Sequence, residues 1–126
     1  MKKEILTKEA PAPIGPYSQA IDAGSFVFCS GQIPLDPISG EIIGTGDVEA
    51  QTRQVMKNIA AVLKEAGADF NKVVKTTIFL KNMGDFPKVN SIYGEFFHAP
   101  FPARSTVEVA RLPKDVLVEI EIIIAR

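Results

Sequence analysis

Two side chains in this sequence have the type and setting to do chemistry, Arg104 and Glu119. Arg104 sits near the head of Phe101-Pro102-Ala103-Arg104-Ser105-Thr106-Val107-Glu108-Val109. Proline cannot donate to a sheet ladder, which places Pro102 just ahead of a strand. Alternation then puts Arg104, Thr106 and Glu108 on one face and Ser105, Val107 and Val109 on the other. A planar, always-charged, five-donor group is thus fixed at the mouth of a strand. That geometry suits bidentate capture of a carboxylate; an edge arginine in a surface ion pair is the competing reading. Glu119 interrupts an apolar strand on the face opposite Val118 and Ile120. A carboxylate there costs free energy unless it is paired or hydrogen-bonded. Close to an arginine in a pocket it could hold a water and take its proton. For Glu119 and Glu121 alike, a solvent-facing strand charge or a subunit-interface ion pair competes with that role.

Other chemistries find little support. The single histidine, His98, and the single cysteine, Cys29, show no zinc-site spacing. Cys29 lies in an apolar strand, where a thiol is expected to be core and unreactive. Gly40, Gly44 and Gly46 match neither a phosphate loop nor a dinucleotide fingerprint. No nucleophile–base pair is recognisable. Neither a metal nor a cofactor is expected. The formal net charge is −1, with no basic stripe, which speaks against a dedicated nucleic-acid surface without excluding a local patch. Met1-Lys2-Lys3-Glu4-Ile5-Leu6 lacks the apolar stretch of a signal peptide. No apolar run approaches the roughly 20 residues of a membrane span. The longest, Val116 to Ala125, is broken by Glu119 and Glu121. A cytoplasmic protein folded as one domain over residues 1–126 is the expectation.

Several elements must position the two candidate residues. Residues Ile5 to Pro16 read as an extended, irregular segment in which Ile14 and Tyr17 want burial. Gln19–Ile21 and Ser25–Ser30 read as strands around an Asp22-Ala23-Gly24 turn, and Ser30-Gly31 ends the second. Gln32 to Gly46, about 15 residues, reads as a loop long enough to hint at binding or assembly. Asp47 caps a helix whose stripe is Val48, Val55, Met56, Ile59, Val62, Leu63 and Ala66, ended by Gly67. Val73–Leu80 predicts a strand with Val74, Thr76, Ile78 and Leu80 on one side. A second helix starts near Asp85, carries Phe86, Val89, Ile92, Tyr93 and Phe96, and is stopped by Pro100. The Arg104 strand follows, then a short Leu112–Asp115 connection and a last strand, Val116 to Ile124. The hairpin register that would bring Glu119 beside Arg104 is left open.

The predicted class is α+β, one sheet of five or six strands with two helices on one face. The last strand sends Val116, Val118, Ile120, Ile122 and Ile124 to one side and Leu117, Glu119, Glu121 and Ile123 to the other. Two helices cover only one face, so another copy of the chain is expected to cover the second.

Pro102-Ala103-Arg104-Ser105-Thr106-Val107-Glu108-Val109-Ala110, Leu112-Pro113-Lys114-Asp115 and Val118-Glu119-Ile120-Glu121 together resemble the C-terminal signature of the Rid (YjgF) family of imine/enamine deaminases. Ala12 to Ala20, Ser30 to Pro34, Val74 to Thr77, Asp85-Phe86 and Val89-Asn90 resemble further segments, so the likeness runs through essentially the whole chain. The resemblance implies a chorismate-mutase-like fold and a homotrimer with its sheets packed inward and a site in each cleft between subunits. It implies cofactor-independent hydrolysis of 2-imino acids (2-iminobutanoate, 2-iminopropanoate), or their enamine tautomers, to 2-oxo acids and ammonia. Arg104 would be the carboxylate fork, and Glu119 would activate the water. Tyr17, Ser30, Gly31 and Asn90 would line the cleft. Thr106 stands where relatives often carry cysteine and would contribute its main chain, which leaves no thiol role there. A ribonuclease or translation-inhibiting RNA binder, or a ligand-binding trimer without catalysis, are the alternatives the family offers.

Overall fold

In the computed structural model, residues 2–126 are described. Six strands form one sheet: β1 (Lys3–Ile5), β2 (Ala20–Asp22), β3 (Phe26–Cys29), β4 (Val73–Leu80), β5 (Ala103–Glu108) and β6 (Val118–Ala125). Two helices, α1 (Val48–Glu65) and α2 (Phe86–Tyr93), pack on one face. The spatial order is β1-β2-β3-β6-β4-β5. Only β4 and β5 run parallel, joined by α2 as a crossover; the other neighbours are antiparallel. The class is α+β, as the sequence predicts.

Local chemistry explains the first helix. The Asp47 carboxylate accepts from the N–H groups of Glu49 and Ala50, both at 3.1 Å, and so satisfies two of the donors a helix start leaves unpaired. Val48, Val55, Met56, Ile59, Val62, Leu63 and Ala66 are all buried against the sheet. Gly67 then adopts φ +72°, the left-handed turn that ends the helix and that a side chain would strain. On β6, Val118, Ile120, Ile122 and Ile124 face this core.

Four differences from expectation follow from contacts between distant parts of the chain. First, β6 does not form a hairpin with β5; it inserts between β3 and β4. The parallel β4–α2–β5 unit puts β5 on the outer edge, so the chain crosses back over the end of β4. That crossing uses left-handed backbone at Lys114 and Asp115 (φ 56° and 57°), with Arg111 clamped onto the Asp115 carboxylate. Second, a bulge between Val73 and Lys75 turns Val73, not Val74, inward with Thr76, Ile78 and Leu80. Third, α2 ends at Gly94, well before Pro100. Fourth, Lys3–Ile5 pairs with Ala20–Asp22 as an added edge strand.

The long loop is pinned to α1. Asn58 Nδ2 donates to the carbonyls of Ile33 and Leu35 at 3.2 and 3.0 Å, and Gln51 Nε2 donates to that of Gly44 at 3.1 Å. Gln19 does the same for the N-terminal segment: Oε1 accepts from Thr7 N–H, and Nε2 reaches the carbonyls of Thr7, Ala10 and Pro11. These fully partnered buried amides fix the backbone on which Tyr17 and Gly31 ride.

The sheet face away from the helices is bare and largely apolar. Phe26 and Phe28 of β3 are 45% and 49% exposed, and Val107 of β5 is 40% exposed. Ile123 is the partner of Phe28 in register, and Phe79 is the partner of both Glu119 and Val107. The expected uncovered face is present. Ile14 and Tyr17, expected to be buried, are 74% and 50% exposed in the single chain. No described helix is long and apolar enough to cross a membrane.

Candidate active site

Arg104 leaves β5 on the helix side of the sheet, next to Thr76, its register partner on β4. Directly against it α2 presents Phe86, Asn90 and Tyr93, an i, i+4, i+7 face of one helix. Arg104 Nη1 donates to Asn90 Oδ1 at 2.7 Å. The guanidinium carbon lies 5.0 Å from the Tyr93 ring centroid and 5.2 Å from that of Phe86. Tyr93 is itself buried. Its hydroxyl is 2.8 Å from Thr76 Oγ1, and its ring centroid is 4.6 Å from that of Phe97. Burial pushes the Tyr93 phenol up, with Thr76 and Arg104 pulling the other way. Beside the guanidinium opens a cleft of about 480 Å³ lined by Asn90, Tyr93, Gly94, Phe101, Pro102 and Arg104. Thr106 follows on the same face of β5, half-buried.

The charge census singles this arginine out. Of the four arginines in the chain, Arg53 pairs with Glu95, Arg111 with Asp115 and Arg126 with Asp22. Arg104 has no carboxylate partner among the described residues. Asn90 takes one of its five N–H donors, and no carboxylate among the described residues takes another.

Glu119 stands on the opposite, bare face of the sheet, beside Phe79. Gln32 and Ile120 exchange backbone hydrogen bonds at 2.8 and 3.2 Å, which lays Gly31 against the Glu119 side chain. A Cβ at position 31 would fall 2.0 Å from Glu119 Oε2 and 2.8 Å from its Cδ. Only glycine permits that approach. The half-buried Glu119 carboxylate has no hydrogen-bond or ion-pair partner among the described residues. Burial, and secondarily the charge of Glu121, raise its pKa above the ordinary 4.5. Tyr17 lines one shallow depression with Gly31 and Gln32, and a second with Ser30. The Ser30 hydroxyl donates to the Ser18 carbonyl at 2.6 Å, so its proton is committed to the fold. Cys29 faces the core, and burial pushes its thiol up to about 12, which leaves it un-ionised and inert.

The sequence-predicted residues therefore fall into two groups: Arg104, Asn90 and Thr106 on one face, Glu119, Gly31, Ser30 and Tyr17 on the other. Along β4, Arg104 is level with Thr76 and Glu119 with Phe79. That separates them by roughly 10 Å along the strand and about 10 Å across two strand spacings, with the sheet between. One chain does not bring them together. Phe86 and Tyr93 were missed as parts of the site, because both also satisfy the apolar stripe of α2; the signal available was their i, i+4, i+7 alignment with Asn90.

A family profile described as Endoribonuclease L-PSP matches residues 7–126. A 2-iminobutanoate/2-iminopropanoate deaminase of Salmonella typhimurium is 53% identical over 129 aligned positions, spanning 100% of this chain and 99% of its own. The crystal structure of a Rid-family protein from Yersinia pestis matches with a TM-score of 0.96 at 53% identity, covering 100% of both chains. That of Escherichia coli TdcF with bound serine matches with a TM-score of 0.92 at 46% identity, over 98% of each chain. On its residues, its sheet order and these matches, the chain belongs to the Rid (YjgF) family.

Proposed function

We propose that this protein is an imine deaminase that hydrolyses small 2-imino acids, 2-iminobutanoate and 2-iminopropanoate or their enamine tautomers, to 2-oxo acids and ammonia. The observation that carries this is the pair of opposite charges, Arg104 and Glu119, each left without an ion-pair partner among the described residues. A small acid bound between two copies would use both. The function named for the Salmonella relative and the serine bound by TdcF support a carboxylate-bearing ligand of this size.

In this reading the Arg104 fork of one copy grips the substrate carboxylate, which aims the adjacent C=N carbon at the Glu119 of the next. Glu119 takes a proton from water as the water oxygen bonds to that carbon and passes it to the imine nitrogen, giving a neutral carbinolamine and restoring the carboxylate. Glu119 then takes the carbinolamine hydroxyl proton and delivers it to the amino nitrogen as the C–N bond breaks, so the 2-oxo acid forms, ammonia leaves and the carboxylate is regenerated. The electrophile is already activated, so a general base worth about 10²–10⁴-fold suffices. The test is release of 2-oxobutanoate from imine generated in situ by a threonine dehydratase, with and without the protein. A parallel RNA-cleavage assay on the same preparation checks the activity in the family profile's description. RNA cleavage that Arg104→Ala leaves intact, with no effect on imine hydrolysis, would reject the proposal.

The bare face supports a homotrimer with sheets packed inward. Sedimentation is expected to give a three-chain species. Phe28→Glu, which puts a charge among Phe26, Ile123 and Ile21, is expected to dissociate it and to abolish activity through loss of the shared cleft. A stable wild-type monomer at micromolar concentration would contradict both the assembly and the shared site.

Gly31→Ala is expected to keep the fold and cut kcat/KM by about 10²-fold, since displacing a reacting group by an ångström costs that order. The new methyl would fall first on the Glu119 side chain and push its carboxylate aside. Steady-state kinetics beside an unchanged melting curve would show this; wild-type kcat/KM would remove Glu119 from the chemistry.

A further inference from the structure

We infer that Tyr93 and Phe86 are positioning residues for Arg104: a two-ring platform, locked through Thr76, that holds the guanidinium ready before substrate arrives. The inference rests on the proposal above that Arg104 is the carboxylate fork.

An arginine on an exposed edge strand normally spreads over many rotamers, and ordering it on binding costs affinity. Here that freedom is removed in the free chain. One donor is fixed by Asn90 at 2.7 Å, and the cation lies about equally far from two ring centroids, 5.0 and 5.2 Å. These are distances at which the ring quadrupole attracts a guanidinium. The platform is rigid for its own reasons. Tyr93 is 5% exposed, and its hydroxyl and the fully buried Thr76 hydroxyl satisfy each other. Phe97 packs on the Tyr93 ring, and Phe70 packs edge-on to Phe97. Thr76 is also the register partner of Arg104, so one strand position anchors both the start of the arginine side chain and the far end of the tyrosine under it. Tyr93 has a second consequence for the charge. A ring, unlike a carboxylate, steadies the cation without neutralising it, so its charge stays available to an acid in the cleft.

Affinity for 2-oxobutanoate, a stable carboxylate that undergoes no imine chemistry, is measured by calorimetry together with KM and kcat in the dehydratase-coupled assay. Tyr93→Leu is expected to weaken 2-oxobutanoate binding and raise KM about five- to tenfold, with a smaller change in kcat. Phe86→Leu, at a half-buried position that threatens folding less, is expected to move the same two quantities in the same direction. The paired variant Thr76→Val with Tyr93→Phe removes the hydroxyl lock but keeps the ring packed on Phe97, and is expected to weaken 2-oxobutanoate binding less than Tyr93→Leu does; a loss as large as that of Tyr93→Leu would overturn the ring as the support. If folded Tyr93→Leu or folded Phe86→Leu binds 2-oxobutanoate as wild type does, while Arg104→Ala does not, the platform is wrong and the fork stands. If Arg104→Ala binds it as well as wild type does, or the wild type does not bind it, the fork itself is wrong and the platform falls with it.

Discussion

Arg104→Ala is expected to lower kcat/KM for 2-iminobutanoate by about 10²–10⁴-fold while leaving the fold and the assembly intact. The size follows from what is lost. Two parallel charge-assisted hydrogen bonds to a carboxylate are each worth about 1.5–3 kcal/mol. Among the described residues, by contrast, the arginine makes one side-chain hydrogen bond, to an exposed asparagine, two contacts with ring faces and no ion pair. Losing such contacts from an exposed side chain moves stability by about 0.5–1 kcal/mol. Arg104→Lys separates charge from shape. Lysine keeps the positive charge but is a point donor on a flexible stem, so it cannot present a planar fork. It is expected to recover only part of the loss, mainly through KM. The measurements are 2-oxobutanoate release in the dehydratase-coupled assay and a sedimentation profile on the same sample. Full activity in Arg104→Ala would remove the guanidinium from the mechanism.

What the sequence makes legible is local. Asp47 announces a cap because its carboxylate can reach only the next two or three N–H groups. Val55, Met56, Ile59, Val62 and Leu63 announce a buried face because the helical period leaves them no other. Pro102 marks the start of β5 because it cannot sit in the ladder, and β5 begins at Ala103. The alternation of β6 likewise fixes which residues turn inward. What stays hidden is set by partners far along the chain. Nothing near Val118–Ala125 states that it pairs with Phe26–Cys29 and Val73–Leu80 and not with the neighbouring β5. The side on which Glu119 emerges relative to Arg104 depends on that pairing, so the two-faced layout of the site could not be read. The three-residue β1 is visible only once Ala20–Asp22 is there to receive it. The bulge at Val73–Lys75 inverts one pair of residues without any glycine to mark it. Tyr93 was readable as core, and it is core; that the same ring also carries Arg104 depends on β5 arriving beside α2.

Glu119→Gln is expected to remove most of the rate acceleration, about 10²-fold or more, since a general base contributes on that scale. It is also expected to stabilise the protein at neutral pH, and the sign follows from the direction of the shift. Burial raises the Glu119 pKa above 4.5, so the folded chain binds this proton more tightly than the unfolded chain does. Between 4.5 and the raised value the folded state holds more protons, and stability therefore falls as pH rises through that window. Above it the ionised carboxylate is a standing cost to the fold. Activity runs the other way, because the base works only when ionised, so the rate falls as pH drops through the raised value. Glu121 supplies the lesser part of the shift, from two residues along the same face. Glu121→Gln is therefore expected to move the acid limb of the kcat/KM profile to lower pH, with Glu119 and its water left in place. An acid limb that Glu121→Gln leaves unmoved, or that survives unchanged in the residual activity of Glu119→Gln, would show that another group sets it. On the proposed mechanism, the catalytic carboxylate is one the fold tolerates at a cost, set against Gly31 with no partner among the described residues, so that its charge is available to water.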